Sequence, residues 1–185
     1  DLKTAKAVGG DFYDFFLVED SKLAFLVADV SGKGIPAALF MMSSMIIIKN
    51  CTVMGMSPSE ILETANDSLF SHNEAEMFVT VWIGILEIST GKLTAANAGH
   101  EFPTIRKPGG KYELLKDVHG FVVGGMAGMK FKEYELQLEP GTSIFLYTDG
   151  VPESTNKDEV LFGTDRMLDA LNREPDACPE KVLAN

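Results

Sequence analysis

The run Met77-Phe78-Val79-Thr80-Val81-Trp82-Ile83-Gly84-Ile85-Leu86 is almost continuously apolar and β-prone. It predicts a strand covered on both faces, since a strand with one wet face alternates instead. Ser89-Thr90-Gly91-Lys92 turns the chain back into a strand over 93–98, which makes the pair antiparallel. Glu19-Asp20-Ser21-Lys22 joins strands over 12–18 and 23–28 in the same way, and Pro140-Gly141 joins 131–138 to 142–148. Short strands are expected around 104–106 and 112–115. The stretch 117–128, with its glycines at 120, 124, 125 and 128, reads as a loop or partial strand.

Helices are expected over 35–53, with Pro36 in its first turn, and over 58–71, where Ser57 caps and Ile61, Leu62, Ala65 and Leu69 recur at helical spacing. From 158 onward the pattern is helical again, broken at Phe162-Gly163, with Met167, Leu168 and Leu171 as the buried stripe. Residues 1–7 show no pattern. Strands joined by short turns build antiparallel sheets rather than βα units. An apolar central strand then calls for two sheets packed together with helices outside, an α+β arrangement that one domain of 185 residues can hold.

The most apolar window, 35–48, contains Pro36, Ser43 and Ser44 and stops at Lys49-Asn50. It falls short of the roughly 20 residues that span a bilayer, so it reads as a buried core helix, with Met41, Met42 and Met45 as core filling. A net charge of -11, with no dense cluster among 16 Lys and Arg residues, excludes a nucleic-acid backbone as partner and equally an anionic membrane surface. Cys51 and Cys178 are too few for a disulfide framework and match no metal-ligand spacing. With no signal peptide visible, the expected compartment is the cytoplasm.

Three aspartates stand at ends of apolar segments. Asp29 lies in Ala28-Asp29-Val30-Ser31-Gly32-Lys33-Gly34-Ile35-Pro36, Asp11 follows Val8-Gly9-Gly10, and Asp149 lies in Tyr147-Thr148-Asp149-Gly150. The hairpin of the first two strands brings its ends together, so Asp11 and Asp29 are expected as neighbours. Any one Asp beside Gly is more simply a turn former; three at strand ends suggest one shared cation site. Carboxylates without His or thiolate partners select hard cations, so Mg²⁺ or Mn²⁺ is expected over Zn²⁺.

Other signatures fail. Gly9-Gly10-Asp11-Phe12-Tyr13 lacks the Glu-Phe of a diguanylate cyclase motif, and Ser31-Gly32-Lys33-Gly34 lacks the Ser or Thr and the earlier Gly of a P-loop. Neither cysteine has the arginine of a thiol phosphatase. His100, in Asn97-Ala98-Gly99-His100, either orients phosphate or protonates a leaving oxygen, or only ties its turn together. Lys33 either draws a phosphate to a helix N-terminus or is a solvated lysine. His72 and His119 read as plain loop residues.

Together, Val8-Gly9-Gly10-Asp11-Phe12-Tyr13-Asp14, Ala28-Asp29-Val30-Ser31-Gly32-Lys33-Gly34, Asn97-Ala98-Gly99-His100 and Tyr147-Thr148-Asp149-Gly150-Val151 resemble, in family order, the SpoIIE/RsbU branch of the metal-dependent PP2C (PPM) serine/threonine phosphatases. The resemblance implies a PP2C-like αββα sandwich, two antiparallel sheets flanked by helices. It also implies hydrolysis of phosphoserine or phosphothreonine by a binuclear Mn²⁺ or Mg²⁺ centre. The implied substrate is a phosphorylated STAS-type anti-anti-sigma factor, and the implied attachment in the full protein is an N-terminal sensor or receiver module. By that resemblance Asp29 bridges the metals, the Val30 carbonyl is a backbone ligand, and Asp11 and Asp149 each bind one ion. Asp14 supports them, with Lys33, His100 and Gly150 as secondary candidates.

The chain departs from the pattern in lacking the family's C-terminal Asp-Asp-x-Thr segment and most of a strand before Gly9. The expectation is therefore a single domain, 1–185, trimmed at both ends. The competing expectation is a phosphatase-like module that binds the same partner without turnover.

Overall fold

The computed structural model describes residues 9–71 and 73–184. The expectations for residues 1–8, including Val8 of the first motif, and for His72 lie outside the described residues. The chain divides into two compact units, Asp1–His100 with Asp117–Leu138, and Glu101–Lys116 with Glu139–Asn185.

The first unit is built on a five-stranded antiparallel sheet. β1 (Phe12–Val18), β2 (Lys22–Val30), β3 (Val79–Glu87), β4 (Lys92–Ala98) and β5 (Glu133–Gln137) lie side by side in that order. β3 is the central strand, as its apolar sequence predicts. In β1 and β2, where side chains alternate between faces, Phe12, Leu26, Ala28 and Val30 are buried with Val79, Val81 and Ile83 of β3 and Ala96 and Ala98 of β4. Ile61, Leu62, Ala65 and Leu69 of the helix α2 (Pro58–Phe70) close that core. α2 opens as its sequence predicts: Ser57 and Glu60 form a reciprocal capping box with Pro58 in the first turn.

The helix α1 (Ile35–Val53) corrects one expectation. It has the predicted bounds and is long and apolar enough, by length and composition, to cross a membrane. It is not buried all round. Ala37, Ala38, Ser44, Ile48, Cys51 and Thr52 face the core, while Leu39, Met42, Ile46 and Val53 are exposed. Met41 and Met45 fill the core edge as expected, and Met42 does not. The Ser44 and Thr52 hydroxyls donate to the carbonyls of Phe40 and Ile48, so polar residues enter the packed face without an unmet partner.

The second unit carries a three-stranded antiparallel sheet of β6 (Thr104–Arg106), β7 (Glu113–Leu114) and β8 (Ser143–Phe145), with β6 in the middle. Its helices are α3 (Gly163–Leu171) and α4 (Pro179–Ala184), whose Met167, Leu171 and Val182 pack with Tyr112 and Tyr147. Two sequence expectations shift here. The last strand ends at Phe145 rather than 148, and residues 158–162 form a turn bridged through Thr155 and Leu161 instead of a helix. Gly163, at φ 76°, begins α3 because a left-handed residue breaks any helix arriving from before it.

Candidate metal centre

The β1–β2 ladder pairs Phe12 with Ala28, and Gly10 lies against Val30, so the step between them brings Asp11 alongside Asp29. Directly opposed residues share a face, with Cβ atoms about 5 Å apart. The β2–β3 ladder pairs Asp29 with Thr80, so two carboxylates and a hydroxyl form a row across the ends of three neighbouring strands. All three stand on the sheet face opposite the one that packs on α1 and α2. Asp11, Asp29 and Thr80 are each half-buried.

The turn after Asp29 is fixed on both sides. Ser31 donates its backbone N–H to the Phe78 carbonyl and accepts the Phe78 N–H on its hydroxyl, both at 2.9 Å. Gly32 and Gly34, at φ 86° and 83°, lead from there into α1. Gly10 lies so close to β2 that a Cβ there would stand 3.0 Å from the Val30 carbonyl oxygen and 3.2 Å from Val30 Cβ. The glycine before Asp11 thus lets the backbone approach the Val30 carbonyl that the sequence motif singles out.

Thr80 links this row to His100. Its hydroxyl is 2.8 Å from His100 Nδ1 and donates at 3.4 Å to the Asp29 carbonyl. His100 is buried, 3% exposed. Its backbone N–H donates to Asn97 Oδ1 at 2.8 Å and its carbonyl accepts from Asn97 Nδ2 at 3.1 Å. His100 therefore does tie its turn together, and the same bonds carry its ring to Thr80. Sequence reasoning missed Thr80. The available signal is one hydroxyl residue within the apolar run of the central strand.

The remaining candidates lie elsewhere. Asp14 points to the helix face, where its carboxylate pairs with Lys49 at 2.7 Å, as its three-residue offset from Asp11 predicts. Lys33 is exposed in the turn before α1. Asp149 and Gly150 are exposed in the turn after β8, in the second unit, where the Asp149 carbonyl accepts the Glu153 N–H at 2.8 Å. In the same unit, burial pushes the Tyr147 phenol up to about 12, with the Glu101 carboxylate adding to the effect.

Among the described residues, no group of three or more His, Cys, Asp or Glu side chains could hold a metal ion. The Asp11–Asp29 pair nonetheless suits a hard divalent cation. Carboxylate oxygens are the donors that such an ion prefers.

A family model described as Stage II sporulation protein E (SpoIIE) matches residues 19–185. The chain is 31% identical over 197 residues to protein IcfG of Synechocystis sp., covering 92% of this chain and 31% of that protein. It is 33% identical over 159 residues to the phosphoserine phosphatase RsbU of Bacillus subtilis, covering 85% of this chain and 47% of that protein. It thus spans about a third to a half of the length of these relatives. Among solved structures, the SiaA-PP2C domain of Pseudomonas aeruginosa aligns with a TM-score of 0.83 at 24% identity, over 98% of this chain and 73% of that one. RsbX, solved in complex with magnesium, aligns with a TM-score of 0.66 at 20% identity, over 80% and 69%. The fold is that of the PP2C domains.

Proposed function

The chain belongs to the SpoIIE family, and on that premise we propose that residues 1–185 are one metal-dependent protein serine/threonine phosphatase domain. Its substrate is a phosphoserine or phosphothreonine on a STAS-type anti-anti-sigma factor, and its output is partner switching. The domain is cytoplasmic and works under a sensor or receiver module of the full protein. Kinship with RsbU, a phosphoserine phosphatase, supports the reaction class. The observation that supports the reading is the β1–β2 register, which pairs Phe12 with Ala28, one residue from each of Asp11 and Asp29.

Asp11, Asp29 and the Val30 carbonyl would hold Mn²⁺ or Mg²⁺ of a binuclear centre, and Asp149 is a further candidate ligand by its Thr148-Asp149-Gly150 motif alone. When bound, such ions lower the pKa of a coordinated water and neutralise charge developing at phosphorus. The rest falls to the chain. Asp29, drawn toward Asp11 by the hairpin, provides the negative charge that draws the cations in. If Thr80 gives its one hydroxyl proton to the Asp29 carbonyl, it receives that of His100 Nδ1. In that direction the imidazole carries a proton on Nδ1 and is oriented by it. As the imidazolium, with a second proton on Nε2, His100 then orients the phosphate or protonates the leaving serine oxygen, a role worth about 10²-fold or more in rate. Lys33 draws the phosphate toward the turn before α1.

A second reading, a phosphatase-like module that binds the same partner without turnover, is favoured by one observation, the absence of a three-residue ligand cluster among the described residues. Incubation with a STAS domain phosphorylated on serine, in Mn²⁺, Mg²⁺ or EDTA, separates the two. Metal-dependent phosphate release supports the phosphatase. Stable binding of the phosphorylated domain without release in any metal overturns it in favour of the module.

A further inference from the structure

The loop after β7 delivers Asp117 to the sheet face that carries Trp82, Asn97 and Tyr134. Its side chain is fully buried. Asn97 Nδ2 donates to both of its oxygens at 3.1 and 3.2 Å, the Tyr134 hydroxyl donates at 2.9 Å, and His119 Nε2 lies 3.0 Å away. Tyr134 in turn accepts the indole N–H of Trp82 at 2.9 Å, so its only proton is committed to Asp117. A buried carboxylate is costly unless such donors compensate it. Asp117 has three such donor groups, from β4, β5 and its own loop. Of these donors, Asn97 leads toward the row of Asp11 and Asp29, because its amide clamps both backbone groups of His100.

We infer that Asp117 is a positioning residue: held by Tyr134 and His119, it locks the Asn97 carboxamide so that His100 is kept against Thr80 beside Asp29. The fixed donors also settle the orientation of the amide. Both protons of Asn97 Nδ2 are used, one on the His100 carbonyl and one on Asp117, which leaves Oδ1 as the acceptor for the His100 N–H. Without the carboxylate, the amide loses the partner that prevents its rotation, and a flipped amide would set Nδ2 against an N–H donor. The inference rests on the phosphatase reading for its kinetic consequence and on geometry alone for the contact.

The test is a double-mutant cycle with p-nitrophenyl phosphate and Mn²⁺, combining Asp117→Asn with His100→Ala. Asp117→Asn lowers kcat about tenfold with KM little changed, because misplacement of a catalytic group is felt in the rate. In the His100→Ala background it lowers kcat no further, since coupled residues are not additive. An equal loss in both backgrounds, or none in the parent, overturns the inference. The contact itself is read without turnover from the ¹⁵N resonances of the His100 ring. They move in Asp117→Asn, and unmoved resonances overturn the inference. Absence of hydrolysis in the parent refutes the phosphatase reading while the ring resonances still decide the role of Asp117. Should Asp117→Asn fail to fold, Tyr134→Phe removes one of its donors and keeps the carboxylate. The same ring resonances then shift, and their constancy overturns the inference.

Discussion

The hydroxyl of Thr80 stands 2.8 Å from Nδ1 of His100 and 3.4 Å from the carbonyl of Asp29. One side chain on the central strand therefore joins the end of β2, which carries Asp29, to the turn after β4. Replacing Thr80 by Val keeps its shape and removes both bonds. Thr80→Val is expected to lower kcat by about tenfold or more, with melting shifted only slightly, and Thr80→Ser to restore most of the rate. Steady-state kinetics of the two variants check this.

Gly10 gives a steric prediction. A methyl there would meet the Val30 carbonyl at 3.0 Å, and both neighbours are backbone or buried. Gly10→Ala is expected to cost about 1–3 kcal/mol in stability and to weaken Mn²⁺ binding, because the atoms that must move include the carbonyl proposed as a ligand. Thermal melts with and without Mn²⁺ measure both, and the metal-induced rise in melting temperature shrinks.

Asp14 shares a motif with Asp11 and lies on the other face. Its pair with Lys49 is partly exposed, so Asp14→Ala is expected to cost under about 1 kcal/mol and to leave metal-dependent turnover within about twofold. Asp11→Ala, by contrast, removes a proposed ligand and abolishes turnover. Parallel assays of the two variants make the distinction.

Tyr134 sets a pH limit. Burial, and then the adjacent Asp117 carboxylate, push its phenol well above the ordinary tyrosine value. The folded chain thus holds this proton more tightly than the unfolded one, whose tyrosines ionise near pH 10. Its contribution to stability is complete below about pH 10 and drains away as the pH rises above that. Denaturant melts should show wild type more stable than Tyr134→Phe at pH 8, with the gap narrowing toward pH 11. Absorbance at 295 nm should show one phenol fewer among those that titrate only on unfolding in Tyr134→Phe.

Much of the first unit was legible in the sequence because its signals are local. Val79–Glu87, the Glu19 to Lys22 turn and the Ser57–Glu60 cap each announce an element within a few residues, and the hairpin alone predicts the antiparallel pairing of Phe12–Val18 with Lys22–Val30. The exposed half of α1 was not legible, since apolar composition reports what a helix can bury and not what covers it. The strand end at Phe145 and the turn over 158–162 were missed because β-propensity and helical spacing run past the glycine-bounded breaks. Asp117, Tyr134 and His119 gave no sequence signal at all. They come from a loop and an edge strand, and only the fold brings them to Asn97.

The central claim is that Asp11 and Asp29 hold the metal on which phosphate release depends. The direct measurement is hydrolysis of p-nitrophenyl phosphate by the chain and by Asp29→Asn in Mn²⁺, Mg²⁺ and EDTA, with melting temperatures recorded alongside. The account predicts turnover that requires metal, is abolished by EDTA and by Asp29→Asn, and is lost while the variant still melts cooperatively near the parent temperature. Hydrolysis undiminished in EDTA or in Asp29→Asn, or a parent chain that neither turns over nor is stabilised by Mn²⁺, would contradict it.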